Sequence, residues 1–118
     1  MATTLECSFL IPVRRDADLS DGQAHPEEAW DWLYNELFNR FSGATIAPGV
    51  YQGFYRDPDT KAQVHDESMR ITVAVGEADV EQLRHLLAAA CVLFGQKCIY
   101  LSIAGSVEFI EASHGKPN

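Results

Sequence analysis

The clearest pattern in the chain is the alternation of apolar and polar residues between Gln63 and Gly76. The apolar positions from residue 69 onward are Met69, Ile71, Val73 and Val75, and the positions between them hold Arg70, Thr72 and Ala74. A period of two predicts a strand with one buried face. Because this strand is long and rich in β-branched residues, we expect it near the middle of a sheet.

Three further segments have the pattern of strands. The first contains the alternating apolar residues Leu5, Cys7, Phe9, Ile11 and Val13. The second covers residues 44 to 56, and its Pro48 and Gly49 predict an edge position or a bulge. Turn-forming residues at positions 57 to 61 then join it as a hairpin to the long strand described above. The fourth strand covers residues 98 to 104.

Two segments have the three- and four-residue periodicity of amphipathic helices. The first begins at Pro26 and ends before Gly43, and its apolar stripe consists of Trp30, Leu33, Tyr34, Leu37, Phe38 and Phe41. We expect this aromatic stripe at the centre of the core. The second helix lies between Gly76 and Gly95, with a stripe that consists of Val80, Leu83, Leu87, Ala90, Cys91 and Phe94.

The order of elements is therefore β-α-β-β-α-β. Right-handed crossovers place the third strand between the first and the second, which gives the strand order 4-1-3-2 with both helices on one face. This arrangement is a ferredoxin-like plait, an α+β fold with a four-stranded antiparallel sheet. We predict a single domain over residues 1 to 112 and a flexible tail over 113 to 118. Residues 106 to 111 form either a separate fifth strand or a kinked continuation of the fourth.

Three short segments carry a resemblance to a known family. The segments GFYR, ESMRITVAV and FGQ, in the C-terminal part of the chain, resemble a small bacterial protein family of unknown function with the same plait. The resemblance implies the fold and carries no activity onto any residue.

Composition and charge narrow the class of protein. The chain has 118 residues, 47% hydrophobic and 22% charged, as expected for one soluble globular domain. Its net charge of -8 argues against nucleic-acid binding and against anionic membrane surfaces. The N-terminus lacks the pattern of a signal peptide. The three cysteines, Cys7, Cys91 and Cys98, have no paired spacing, so we expect reduced thiols in a cytoplasmic protein.

The outward face of the predicted sheet carries most of the polar residues. We expect it to present Glu6, Ser8, Leu10, Ser68, Arg70, Thr72, Cys98, Tyr100 and Ser102. Arg70 can hold an anionic group in two places, with Glu6 beside it on the neighbouring strand. The predicted pocket for a small anionic metabolite consists of Glu6, Ser8, Ser68, Arg70 and Tyr100. Alternatively, this face is solvated or covered by a second copy, which predicts a homodimer.

A second group of candidates lies at the start of the long strand. His65 and Glu67 flank Asp66, and a histidine beside a carboxylate is suited to general base catalysis. The alternative is a solvated strand start. His25, His85 and His114 show no spacing that would complete a site, and we predict no metal and no cofactor. Tyr51 and Tyr55 share one face of the second strand, where they line a pocket or pack against a partner.

These features do not define one activity. We expect a small cytosolic dimeric binding or regulatory module with a pocket on the open sheet face. One alternative is a small dimeric enzyme of the α/β-barrel type, similar to a monooxygenase or an isomerase, that uses His65 and Arg70. The second alternative is a structural partner protein. The acidic loop over residues 14 to 25 is expected to act as a flexible lid.

Overall fold

The computed structural model describes residues 3 to 116. Its two α-helices are α1 (Glu27–Phe41) and α2 (Val80–Leu93), the latter preceded by a 3-10 turn at Glu77–Asp79. Its six strands are β1 (Thr4–Pro12), β2 (Thr45–Ile46), β3 (Tyr51–Arg56), β4 (Gln63–Gly76), β5 (Ile99–Ile103) and β6 (Ser106–Ile110). No helix within these residues is long and apolar enough to cross a membrane.

The strands form one antiparallel sheet in the order β2-β4-β1-β5-β6, and β3 also pairs with β4 further along it. Helices α1 and α2 contribute to a single core together with one face of this sheet. The fold is therefore the predicted α+β plait of ferredoxin-like type. The predicted neighbours of the long strand are confirmed, and the sheet has one more strand at the β5 edge.

The longest pairing in the sheet joins β1 to β4. It runs through nine residue pairs, from Thr4 opposite Gly76 to Pro12 opposite Ser68. Cys7 lies opposite Val73 and Phe9 opposite Ile71, and these side chains are buried beneath the helices. Alternate residues of both strands consequently point to the other, helix-free side of the sheet, which we call the open face.

The predicted second strand divides into two short strands on the same partner. Thr45 pairs with Thr72, and Tyr51 pairs with Ser68, so that both β2 and β3 lie along β4. The break contains Pro48, which lacks an N–H for the ladder, and Gly49, whose φ is +76°. The expected interruption at these two residues is confirmed, and it leaves β3 on an otherwise unpaired edge.

The C-terminal segment forms a separate strand. β6 pairs with β5 through a two-residue turn whose residues, Ala104 and Gly105, have φ values of +48° and +93°. Two consecutive positive φ values are typical of the turns that join tightly paired strands. Of the predicted tail, residues 117 and 118 lie outside the described range. Residues 113 to 116 belong to a turn in which the His114 N–H donates to the Glu111 carbonyl at 3.0 Å.

The contribution of α1 to the core differs from the prediction. Leu33 and Leu37 are fully buried, whereas Trp30 is only partly covered and Phe38 is 67% exposed. Adjacent helical residues point about 100° apart, so a stripe as wide as the predicted one extends beyond the area that the sheet can cover. The fully buried large residues come mainly from the sheet and from α2 and include Phe9, Ile71, Leu83, Leu87 and Phe94.

Two neighbouring α1 residues test this description. Replacing Leu37, which is 1% exposed, with alanine should lower the free energy of unfolding by about 2–5 kcal/mol, because it removes buried methyl groups and leaves a cavity. Phe38→Ala, one residue away, should change it by no more than about 0.5 kcal/mol. Urea unfolding of both variants measures the difference. Equal effects of the two substitutions would contradict the placement of α1.

Candidate functional site

The open face separates two members of the predicted anion pocket, Glu6 and Arg70. Glu6 lies opposite Ala74, and Arg70 lies opposite Leu10. Four residues along a strand correspond to about 13 Å, so Glu6 does not orient Arg70. The predicted pair is wrong. The alternation predicted the face of both residues correctly, but it does not distinguish registers that differ by two residues.

The other predicted pocket residues contact their neighbours on the sheet. Ser8 and Ser68 are buried, at 9% and 3% exposure. The Tyr100 ring packs edge-on against Phe109, with centroids 5.9 Å apart. The Arg70 guanidinium lies over the Tyr51 ring, 5.8 Å from its centroid. Ser68 and Arg70 are therefore neighbours on β4 beside Tyr51, whereas Tyr100 lies on the β5–β6 side of the open face.

A cavity is present elsewhere, where β4 extends beyond the end of β1. There, residues 63 to 67 of β4 pair with β3, and the acidic loop lies beside this hairpin. The cavity between them has a volume of about 620 Å³. We call it the hairpin cleft; its lining includes Arg14, Arg15, Asp16, Asp18, Gln52, Gly53, Tyr55, Asp57, His65, Asp66, Glu67 and Gln96.

Backbone hydrogen bonds hold the acidic loop in place over the cleft. The Val13 N–H donates to the Glu67 carbonyl at 2.8 Å, which fixes the start of the loop on β4. The Asp16 N–H donates to the Gly95 carbonyl at 2.9 Å, just after α2. The side-chain amide of Gln96 then donates to the Arg14 carbonyl at 2.8 Å. The loop is thus attached to both structural layers.

Lys97 links the loop to the tip of the β3–β4 hairpin. Its Nζ donates to carboxylates of Asp18, Asp57 and Asp59 at 3.2, 3.1 and 3.0 Å. Asp57 is the buried member and also accepts the N–H groups of Asp59 and Thr60 at 2.8 and 3.0 Å. These two backbone donors, together with Lys97, lower the pKa of Asp57 from its ordinary value of 3.8 to about 2.

Tyr55 and Asp66 are two polar groups of the cleft whose pKa values are shifted. Burial raises the pKa of the Asp66 carboxyl. Burial and then the Asp66 charge are the main causes that raise the pKa of Tyr55, so its hydroxyl stays a hydrogen-bond donor. Among residues 3 to 116, neither side chain has a hydrogen-bond partner. Perturbed groups without a structural partner in a cavity are candidates for function.

Local structure brings this pair together. Asp66 lies opposite Gly53, and Tyr55 lies opposite Val64, so the two side chains are diagonal neighbours on one face of the hairpin. Gly53 leaves room for the carboxylate, because a Cβ at that position would lie 3.0 Å from the Asp66 Oδ1. The turn at residues 57 to 61 sets which residues of the two strands lie opposite each other, and this sequence signal could have identified the pair.

The predicted catalytic candidates also line the cleft, from the other side of the hairpin. His65 lies opposite Phe54, with ring centroids 6.0 Å apart, and Glu67 lies opposite Gln52. Both His65 and Glu67 are exposed. The structure therefore brings His65, Asp66 and Glu67 to one cavity, but it separates Asp66 from the other two across the strand.

The expectation for the remaining histidines is corrected in one respect. His85 and His114 lie close together, with ring centroids 5.6 Å apart, although 28 residues of sequence lie between them. His25 is buried, and within residues 3 to 116 its side chain bonds to no other side chain. Its Nε2 lies 2.6 Å from the Pro12 carbonyl, and burial lowers its pKa. It therefore acts as a neutral donor that supports the start of the acidic loop.

The cysteines are free thiols, as predicted. Cys7 and Cys91 are buried in the core, and burial raises the pKa of Cys91 to about 12. Cys98 is partly buried and its pKa is also raised, mainly by burial. A raised thiol pKa opposes the formation of a nucleophilic thiolate.

Comparison with known proteins identifies similar folds. No protein-family model matches this sequence, and no curated protein matches it. A phage SAM lyase in complex with S-methyl-5'-thioadenosine has a TM-score of 0.70 and 14% identity over 98% of this chain and 95% of that one. The phage SAM lyase in its apo state has a TM-score of 0.61, with 14% identity over 92% and 87%. The divalent cation tolerance protein CutA1 of Thermus thermophilus has a TM-score of 0.53, with 14% identity over 98% and 88%. The likeness covers the whole plait and concerns the fold.

The Lys97 link predicts a specific pH dependence of stability. Because the folded-state pKa of Asp57 is lowered to about 2, its contribution to stability is present above its ordinary value of 3.8 and is lost as the pH falls toward 2. Asp57→Asn should therefore destabilise the protein most at neutral pH, with a deficit that shrinks below about pH 4. Urea unfolding across this pH range measures it.

Asp59→Asn is the matched control for this experiment. Asp59 also binds Lys97, but its side chain is 71% exposed, so we expect a small effect of its substitution at neutral pH. A deficit of Asp57→Asn that stays constant from neutral pH to about pH 2 would show that the charge of Asp57 contributes nothing.

Proposed function

We propose that this chain binds S-adenosylmethionine in the hairpin cleft and cleaves it with release of S-methyl-5'-thioadenosine. The observation that carries the proposal is the Tyr55–Asp66 pair, a donor and a carboxylate that face a cavity without other partners. The fold of the phage SAM lyase, which extends over nearly the whole of both chains, supports the choice of ligand.

The size and charge of the cleft fit such a ligand. Its volume of about 620 Å³ falls in the range of small-molecule and cofactor sites. S-adenosylmethionine carries a sulfonium and an ammonium group, and a cavity lined by several carboxylates attracts cations. Lys97 pairs with Asp18 and Asp57, whereas Asp66 is a partly buried carboxylate that is available to the ligand.

The chemistry requires little from the protein. The carboxylate oxygen of the ligand's own methionyl group attacks its γ-carbon and closes a lactone ring. The bond between the sulfonium sulfur and that carbon breaks at the same time, and its electron pair stays on sulfur. The product leaves as a neutral thioether, which needs no proton from a general acid. The site then has to orient the ligand and balance its charge, which are the tasks we assign to Tyr55 and Asp66.

Single substitutions in the cleft test this function. Tyr55→Phe and Asp66→Asn should each lower the rate of S-methyl-5'-thioadenosine release by at least about 100-fold, because each removes one polar contact that the proposal assigns to the reacting ligand. Chromatography of the reaction products measures the rate. The unfolding temperature of Asp66→Asn should equal or exceed that of the parent, because burial disfavours the charged carboxylate and asparagine carries no charge.

Two controls make the result interpretable. Tyr51→Phe removes the same hydroxyl four residues away on the same strand face, outside the cleft lining, and should leave the rate unchanged. Glu77→Gln removes an exposed carboxylate outside the cleft lining and should also leave the rate of release unchanged. No release by the parent protein, or equal release by the parent and Asp66→Asn, would refute the proposal.

The second candidate is a binding module without turnover, with Arg70 as the group that holds an anionic metabolite. Its support is the exposed position of Arg70 above the Tyr51 ring, on the open face. The same variants separate the two candidates. The binding module is favoured if an anionic ligand raises the unfolding temperature and this shift is lost in Arg70→Ala but kept in Asp66→Asn. If the chain instead cleaves S-adenosylmethionine, Arg70→Ala should leave that cleavage intact.

We further propose that the protein is a cytoplasmic homodimer, formed through the open face. The exposed apolar side chains of this face near β6 are Val107 and Phe109, at 48% and 65% exposure, and Tyr51 adds a third at 42%. Exposed apolar groups on one surface favour contact with a partner. The free cysteines support a reducing compartment.

Light scattering tests the assembly. The parent should have twice the 13.1 kDa mass of one chain, and Phe109→Glu should shift it to the monomer, because a charge would be buried in the contact. Phe38→Glu is the matched control, since Phe38 is 67% exposed on α1, in the opposite layer. A parent of monomer mass at micromolar concentration, or a dimer that Phe38→Glu disrupts and Phe109→Glu does not, would refute the open-face dimer.

A further inference from the structure

A cluster of three potential metal ligands lies on α2, away from the hairpin cleft. Glu81 and His85 are one turn apart on the helix, so their side chains share a face. The Glu81 Oε1 is 3.2 Å from the His85 Nε2 and 2.7 Å from the His114 Nε2. One carboxylate oxygen thus lies against two imidazoles from two segments of the chain.

The separations suit a common metal ion. One ligand atom from each of the three residues lies within 4.8 Å of the others. Ligand atoms about 2.1 Å from a tetrahedral zinc ion lie about 3.4 Å from one another. Small side-chain rotations are therefore enough to bring Glu81, His85 and His114 onto one ion, with a fourth position open to water.

The C-terminal turn is built to hold His114 there. Gly115 has a φ of +75°, a left-handed conformation that favours glycine. A Cβ at Gly115 would lie 2.8 Å from the His85 ring, so the turn packs directly on that imidazole. The hydrogen bond from the His114 N–H to the Glu111 carbonyl closes the turn.

Arg84 binds one oxygen of the Glu81 carboxylate and leaves the other, Oε1, facing the two imidazoles. The Arg84 guanidinium donates to Oε2 at 3.0 Å. The same guanidinium makes two hydrogen bonds to Glu108, at 2.9 and 2.8 Å, which offset its positive charge.

We propose that Glu81, His85 and His114 form a surface site for a divalent transition-metal ion, with Zn²⁺ as its probe. Two imidazoles and one carboxylate match the ligand preferences of zinc, nickel and copper, whereas magnesium and calcium require mainly oxygen ligands. A bound ion would join the C-terminal segment to α2. The proposal does not depend on the function proposed for the cleft.

Isothermal titration calorimetry of the full chain with zinc chloride at neutral pH tests the site. The parent should bind one zinc ion per chain, and excess magnesium should not displace it. His85→Gln and His114→Gln should each weaken zinc binding by at least about tenfold, since loss of supporting groups around a metal alone costs that much. His65→Gln, which removes an exposed histidine that also has acidic neighbours, is the matched control and should bind like the parent.

Three outcomes would overturn the proposal. The first is a parent that binds no zinc at micromolar concentration. The second is zinc binding that persists in both His85→Gln and His114→Gln. The third is zinc binding that is lost in Cys98→Ser and kept in His85→Gln, which would assign the ion to the partly buried thiol. Far-ultraviolet circular dichroism of each variant checks that the fold is retained.

Discussion

The antiparallel ladder between β1 and β4 is the interaction on which the other features depend. Its nine pairs bury one alternating set of side chains under both helices. β4 has 14 residues and β1 has nine, so β4 continues beyond the end of β1 and pairs there only with β3. The chain that leaves β1 has to turn beside this extension. The hairpin cleft is therefore a direct consequence of two neighbouring strands of unequal length.

The distribution of charge gives this cavity its chemical character. Several of the cations are already paired with carboxylates. Arg15, in the cleft lining, is bound to Asp21, and away from the cleft Arg40 is bound to Glu36 and Arg84 to Glu81 and Glu108. Lys97 holds three carboxylates at the cleft margin, but Asp66 is partly buried without a cation or a donor among residues 3 to 116. Burial without compensation costs stability. Under the proposed function, a cationic ligand in the cleft would offset this cost for Asp66.

Much of the fold could be predicted from the sequence, because it depends on periodicity and on the handedness of crossovers. The alternation around Val73 assigned each residue to the correct face, but a shift of two residues preserves that alternation, so the partner of Glu6 could not be derived. Asp66 belongs to the predicted cluster with His65 and Glu67, but the role proposed for it depends on Tyr55 on the other strand of the hairpin. His114 is brought to His85 by a turn whose geometry depends on Gly115, and periodicity contains no information on such contacts.

The hairpin cleft and the Glu81–His85–His114 cluster lie at opposite ends of α2. The acidic loop is attached to Gly95 and Gln96, just after the helix ends, whereas His85 lies in its second turn. From His85 to Leu93 the helix rises about 12 Å, several times the length of a bond between a metal and its ligand. An ion in the cluster could not contact a molecule in the cleft. It would act on the protein by fixing the C-terminal segment, so the proposed cleavage and the proposed metal site can be tested independently.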